Sequence, residues 1–97
     1  MDLVGEIRRA VLAGQFLVSR HARQRLAARK IRLWQIEAGV TEGKVLRVDE
    51  DSEPNPTIVL EQLLPDGTPL HVVWVWLSMS REALLVTAIT PETGEDS

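Results

Sequence analysis

Apolar residues recur every third or fourth position in the first 43 residues, and mostly every second position after that. Leu3, Ile7, Ala10 and Val11 share one face of a helix turning 100° per residue, with Asp2 as its cap and Gly14 as its stop. Arg8 and Arg9 fall toward its C-terminal half, where the helix dipole favours cations. Phe16, Leu17 and Val18 make a short apolar run that leads to Ser19, a good cap for a second helix. In that helix Ala22 and Leu26 point inward. His21, Arg25 and Arg29 form a narrow stripe at the edge of the buried face, and Arg20, Arg23 and Lys30 lie farther round, toward water. Leu33, Ile36 and Val40 predict a third helix over residues 33–42, with Gly43 in the left-handed position after it. Gly39 inside it signals close packing.

Beyond Gly43 the alternating pattern predicts strands over residues 44–48, 57–64, 70–77 and 84–90. Residues 49–56 read as an acidic, proline-punctuated loop, and Pro65-Asp66-Gly67-Thr68 is a strong turn signal. Residues 70–77 are apolar on both faces apart from His71, which suits a central strand. The expectation is an α+β domain with about three N-terminal helices on one face of a four-stranded antiparallel meander. One domain accounts for residues 1–97: a helical part at 1–43, a sheet at 44–91 and an acidic tail at 92–97 that should fray.

Charge changes this picture. The net charge of −3 conceals ten Lys/Arg against six Asp/Glu in residues 1–50 (+4), and one against eight in residues 51–97 (−7). Six of the eleven cations (Arg20, Arg23, Arg25, Arg29, Lys30, Arg32) fall within residues 19–32, with no acid among them. Such a split points to polyanion binding or self-pairing. The absence of cysteine excludes disulfides and thiolate metal sites and suits a reducing cytoplasm, and the longest apolar run is far too short for a membrane span. Two histidines fifty residues apart specify no metal, and no glycine-rich phosphate loop follows any strand, so no metal or cofactor is expected.

His21, in the first turn of its helix, would act as a general base if neutral beside phosphate, although an exposed histidine with no role is the plainer reading. Arg25 and Arg29 would clamp phosphate, since guanidinium is planar, always charged and bidentate. The bland alternative pairs them with Glu37 or Glu61, or leaves them solvated. His71 shares a face with Val73, Val75 and Leu77, so it must find a hydrogen bond or reach water, and a catalytic partnership across from the second helix is the sharper idea. Thr87, placed with Leu85 and Ile89, and Ser19 would be ancillary donors. Trp74 and Trp76 share one strand face, where core packing outweighs base stacking.

The pattern Ser19-x-His21-Ala22-x-x-Arg25-x-x-x-Arg29-x-Ile31, then Gly43, Pro54, Pro56, Leu70-His71-Val72-Val73 and Val86-Thr87-Ala88-Ile89-Thr90-Pro91, resembles a family of small, mostly bacterial proteins catalogued as a domain of unknown function. The resemblance spans residues 16–91. That family looks related to RelE/barnase-like ribonuclease toxins, and its own members often appear beside a zinc-finger antitoxin. The resemblance implies a toxin-type fold, RNA as substrate and a cognate antitoxin as partner. The family's last strand tends to read T-x-Y-x-P, and here Ile89 stands at the tyrosine position, which would weaken any activity that uses the phenol.

The expected function is therefore a metal-independent, ribonuclease-like toxin fold acting on RNA, with His21 and His71 as acid and base and Arg25, Arg29, Ser19 and Thr87 holding phosphate. The alternative is a non-catalytic module whose basic helix binds an acidic partner or a second copy of itself. The first reading makes a geometric demand: His71 must look across a cleft toward Arg25.

Overall fold

The computed structural model describes residues 1–91; the tail at 92–97, expected to fray, lies outside the described residues. Helix α1 (Leu3–Leu12) buries Leu3, Ile7, Ala10 and Val11, the four positions its period selects. Asp2 Oδ1 accepts the Gly5 N–H at 3.0 Å, and Gly14 leaves the helix at φ +76°. There follow β1 (Phe16–Val18), α2 (Arg20–Ala28), α3 (Leu33–Gly39), β2 (Lys44–Asp49), β3 (Thr57–Leu63), β4 (Pro69–Leu77) and β5 (Glu82–Ile89).

The sheet order is β1-β5-β4-β3-β2, which corrects the expected four-stranded antiparallel sheet. β2 to β5 do form an antiparallel meander. A fifth strand, however, joins its far edge: Phe16, Leu17 and Val18 pair in parallel with Ala83, Leu84 and Leu85. Three residues are too few to display a period of two, and a parallel partner must come from a distant crossover. Once β5 exists, the short run is drawn to its open edge. The Ser19 N–H reaches Leu85 O at 3.0 Å, and Phe16 meets Trp74 edge to face at 5.9 Å between ring centroids.

Helix α3 ends at Gly39, three residues earlier than its apolar spacing suggests. Gly43 is buried and does not adopt a positive φ. Both glycines serve packing, because a Cβ at Gly39 would stand 2.6 Å from Gln62 Nε2 and one at Gly43 would stand 3.1 Å from Gln62 Cγ. Gln62, itself buried, donates to Ile36 O at 3.1 Å. Arg8 crosses from α1 to satisfy the open carbonyls after α3, with Nε to Val40 O at 3.0 Å and Nη2 to Gly43 O at 2.7 Å.

Strand β4 sorts the molecule into two sides. Leu70, Val72, Trp74 and Trp76 are buried, while His71, Val73, Val75 and Leu77 are only partly so. The buried set joins one core with Leu3, Ile7 and Val11 of α1, Ala22 and Leu26 of α2, and Ile36 of α3. All three helices thus cover one face of the sheet. In β5 a register shift between the Val73 and Trp74 pairings leaves Val86 without an opposite residue. Thr87 and Ile89 therefore lie with His71, away from the helices, and Leu85 lies among the core residues, not on the Thr87 face as alternation alone implies.

The turn between β3 and β4 is held by Leu64 N–H to Thr68 O at 2.9 Å, by Gly67 at φ +88°, and by the Thr68 N–H donating to Asp66 Oδ1 at 2.9 Å. That backbone bond, with the Thr68 hydroxyl beside it, holds the Asp66 carboxyl below the ordinary carboxylate value. A depressed carboxyl adds stability above its unfolded-state value and loses it as pH falls through the folded one. Asp66→Ala should lower Tm slightly at neutral pH, and the gap from wild type should close in acid; a gap that widens in acid contradicts this. Trp74→Ala should cost about 3–5 kcal/mol in chemical denaturation. A loss below about 1 kcal/mol would mean that the sheet is not organised around it.

Candidate functional site

Ser19 is the joint between α2 and the sheet. Its Oγ accepts the Ala22 N–H at 3.0 Å as an N-cap and donates to Val86 O at 3.0 Å, at the irregularity in β5. The hydroxyl expected to bind phosphate is thus engaged within the fold. It also sets the direction in which α2 leaves the sheet edge. Ala22 and Leu26 are buried, and His21, Arg25 and Arg29 lie along one side, as their spacing requires.

His21 is exposed near the start of α2, and it does not line the cleft formed by the other two members of its stripe. Arg25 and Arg29 come together there. An open cleft of about 560 Å³ runs between α2, the β3–β4 turn and the end of β5, lined by Arg25, Ala28, Arg29, Ile31, Leu64, Thr68 and Thr90. Arg29 Nη1 donates to Thr90 Oγ1 at 2.6 Å, fastening the last turn of α2 to the end of β5. Arg25 Nε is shielded from water and has no hydrogen-bond partner among the described residues. Neighbouring hollows bring Lys30 to one flank, in a hollow also lined by Pro65 and Asp66, and Arg23 and Arg32 to the other, around Leu26, Ile31 and Leu33. Among the described residues, Arg20, Arg23, Arg25, Lys30 and Arg32 form no ion pair with a carboxylate.

His71 is on the other side of the sheet. Its Nε2 lies 3.1 Å from Glu61 Oε2, across the β3–β4 ladder. Lys44 stands opposite Glu61 on β2, and Ile89 stands opposite His71 on β5, so one cross-strand row reads Lys44, Glu61, His71, Ile89. Thr87 shares this face, and its Oγ1 is buried without a partner among the described residues. The core layer of Leu70, Val72 and Ala88 separates the row from α2. The expected union of His71 with His21, Arg25 and Arg29 does not form, and neither does a joint phosphate site of Thr87 with Arg25. Glu61, considered above as an arginine's partner, pairs with His71.

Sequence reasoning overlooked Glu61 and Lys44 as companions of His71, and Leu64, Thr68 and Thr90 as walls of the cleft. The signal for Glu61 was present. A turn centred on Asp66 sets Leu64 against Thr68, and counting back along both strands sets Glu61 against His71. Among the described residues there is no group of three His, Cys, Asp or Glu arranged to hold a metal ion, and no helix long and apolar enough to cross a membrane.

Fold and site together define a small α+β domain with a basic helical edge on one side of its sheet and an imidazole–carboxylate pair on the other. The chain belongs to the family described as domain of unknown function DUF4258, which matches residues 18–90. Comparison with curated proteins and with solved structures returns no match.

Ser19→Ala removes both a helix cap and a bond to the sheet, so it should destabilise the fold by about 1–2 kcal/mol in urea denaturation. A change within about 0.3 kcal/mol of wild type would show that α2 is held by its apolar face alone.

Proposed function

We propose that this chain is an RNA-binding protein of the ribonuclease-toxin type, and that it grips the phosphate backbone along the basic edge of α2. One observation carries the reading. Five of the six cations of residues 20–32 (Arg23, Arg25, Arg29, Lys30 and Arg32) line three adjoining clefts, and all but Arg29, which is bonded to Thr90, lack a carboxylate partner among the described residues. Guanidinium groups held at spaced points suit a repeating phosphate better than a single small anion. The resemblance to ribonuclease toxins supplies RNA as the polymer.

The expected measurement is fluorescence anisotropy with a single-stranded RNA across a salt series. Affinity should fall linearly on a log–log plot, with a slope of about −0.7 for each phosphate engaged. Arg23→Ala, Arg25→Ala and Arg32→Ala should each weaken binding about threefold to tenfold and reduce that slope. Binding that ignores salt, or that survives the triple variant, contradicts the proposal. In cells, overexpression should slow growth and Arg25→Ala should relieve it; growth equal to that of an empty control would sink the toxin part.

The His71–Glu61 pair favours a second reading, in which the face away from the helices cleaves RNA. An imidazole oriented by a carboxylate, with an ammonium in register, is an acid–base set for moving a 2′-OH proton and protonating a leaving oxygen. Ile89, where relatives tend to carry tyrosine, stands across from His71. On this reading His71→Ala should lower a cleavage rate about 10²–10⁴-fold while leaving RNA affinity unchanged. Arg25→Ala would do the reverse. Intact RNA after prolonged incubation with the wild type excludes cleavage and leaves binding alone.

A further inference from the structure

We infer that the outer edge of β2 is a self-pairing surface, through which two copies of this chain join their sheets. β2 is the last strand of the sheet, so among the described residues one side of its backbone has no strand beside it. Free edges normally carry charge, irregularity and little apolar bulk. Lys44 and the register irregularity around Leu46 fit that rule. Val45, Leu46 and Val48 do not, being 39%, 41% and 43% exposed.

Charge selects the occupant. Arg47 and Asp49 are two residues apart on the face away from the helices, with Nη2 and Oδ2 3.6 Å apart. In an antiparallel pairing of two β2 strands about a twofold axis at Val48, Arg47 of each copy stands opposite Asp49 of the other and Val48 meets Val48, while Leu46 and Val45 come against Glu50 and Asp51 just past the end of the partner strand. Moving the axis to Arg47 or Asp49 would instead oppose like charges. A one-residue slip would set residues facing the helices in one copy opposite residues facing away from them in the other, which the pleat does not allow. The Val48-centred register is thus the one that matches both charge pairs and keeps the faces aligned. It yields a ten-stranded sheet with both helical layers on the same side and the two α2 basic edges toward its ends. The pairing stands independently of RNA binding.

The test uses the whole chain and two charge variants, Arg47→Asp and Asp49→Arg, at exposed or half-buried positions that leave the core intact. Light scattering coupled to gel filtration should show the wild-type mass approaching that of a dimer as concentration rises. Each variant alone should dimerise at least about tenfold more weakly, because both cross-copy pairs become like-charged. An equimolar mixture should restore the dimer as a heterodimer, because each acidic position of one variant then faces a basic position of the other at both pairs. A second readout exploits the absence of cysteine in the chain. Val48→Cys should form a disulfide-linked dimer under mild oxidation much faster than Met79→Cys at a fully exposed turn, since opposed strand residues lie within disulfide reach. A monomer at every concentration, variants that dimerise alone as well as wild type, a mixture that stays monomeric, or equal crosslinking of the two cysteine variants would each overturn the proposal.

Discussion

A strand has two faces, and in β4 one of them is taken. Trp74 and Trp76 are two of the chain's three tryptophans, and burying them beneath the helices fixes the direction of every alternate residue. Because the pleat repeats every two residues, His71 cannot share a side with Val72 and Trp74. Its orientation follows from the residues around it, and a slip of one position would have to expose the core. The separation of the imidazole from the arginines of α2 is therefore a consequence of packing, and a side-chain rotation cannot undo it.

The helical layer obeys the same constraint from the other side. Ala22 and Leu26 must meet the buried face, so the guanidiniums of Arg25 and Arg29 emerge at its rim, beside the turn and the end of β5. Ser19, bonded to α2 and to Val86 together, holds this placement where β5 loses its regular register. Arg29, tied to Thr90, fastens the other end of the helix. Two kinds of polar chemistry result, on opposite sides of a wall of aliphatic and indole side chains: phosphate-seeking cations by the helices, and an imidazole–carboxylate pair on the sheet face away from them.

Much of this was legible from residue patterns. The helix faces, the caps at Asp2 and Ser19, the turn at residues 65–68, the inward tryptophans and the shared face of His71, Val73 and Val75 all follow from local periodicity. Three features did not. The parallel pairing of β1 depends on a strand far along the chain, and its three residues carry no period of their own. The irregularity at Val86 breaks alternation inside β5, so Leu85 and Thr87 fall on opposite faces without any warning in residue type. The meeting of His71 with Glu61 is set by hairpin register, which the turn encodes but residue-by-residue inspection passes over. The juxtaposition of His71 and Arg25 was an argument from residue types alone, and the face on which each lies overrules it.

The most direct test of this two-sided arrangement is a titration of the ¹⁵N-labelled protein with single-stranded RNA, followed through its backbone amide resonances. The account predicts shifts concentrated in residues 20–32, at Thr68 and at Thr90, with Glu61, His71, Val73 and Thr87 unmoved. Shifts centred on β3 to β5 around His71, with the α2 resonances still, would contradict it.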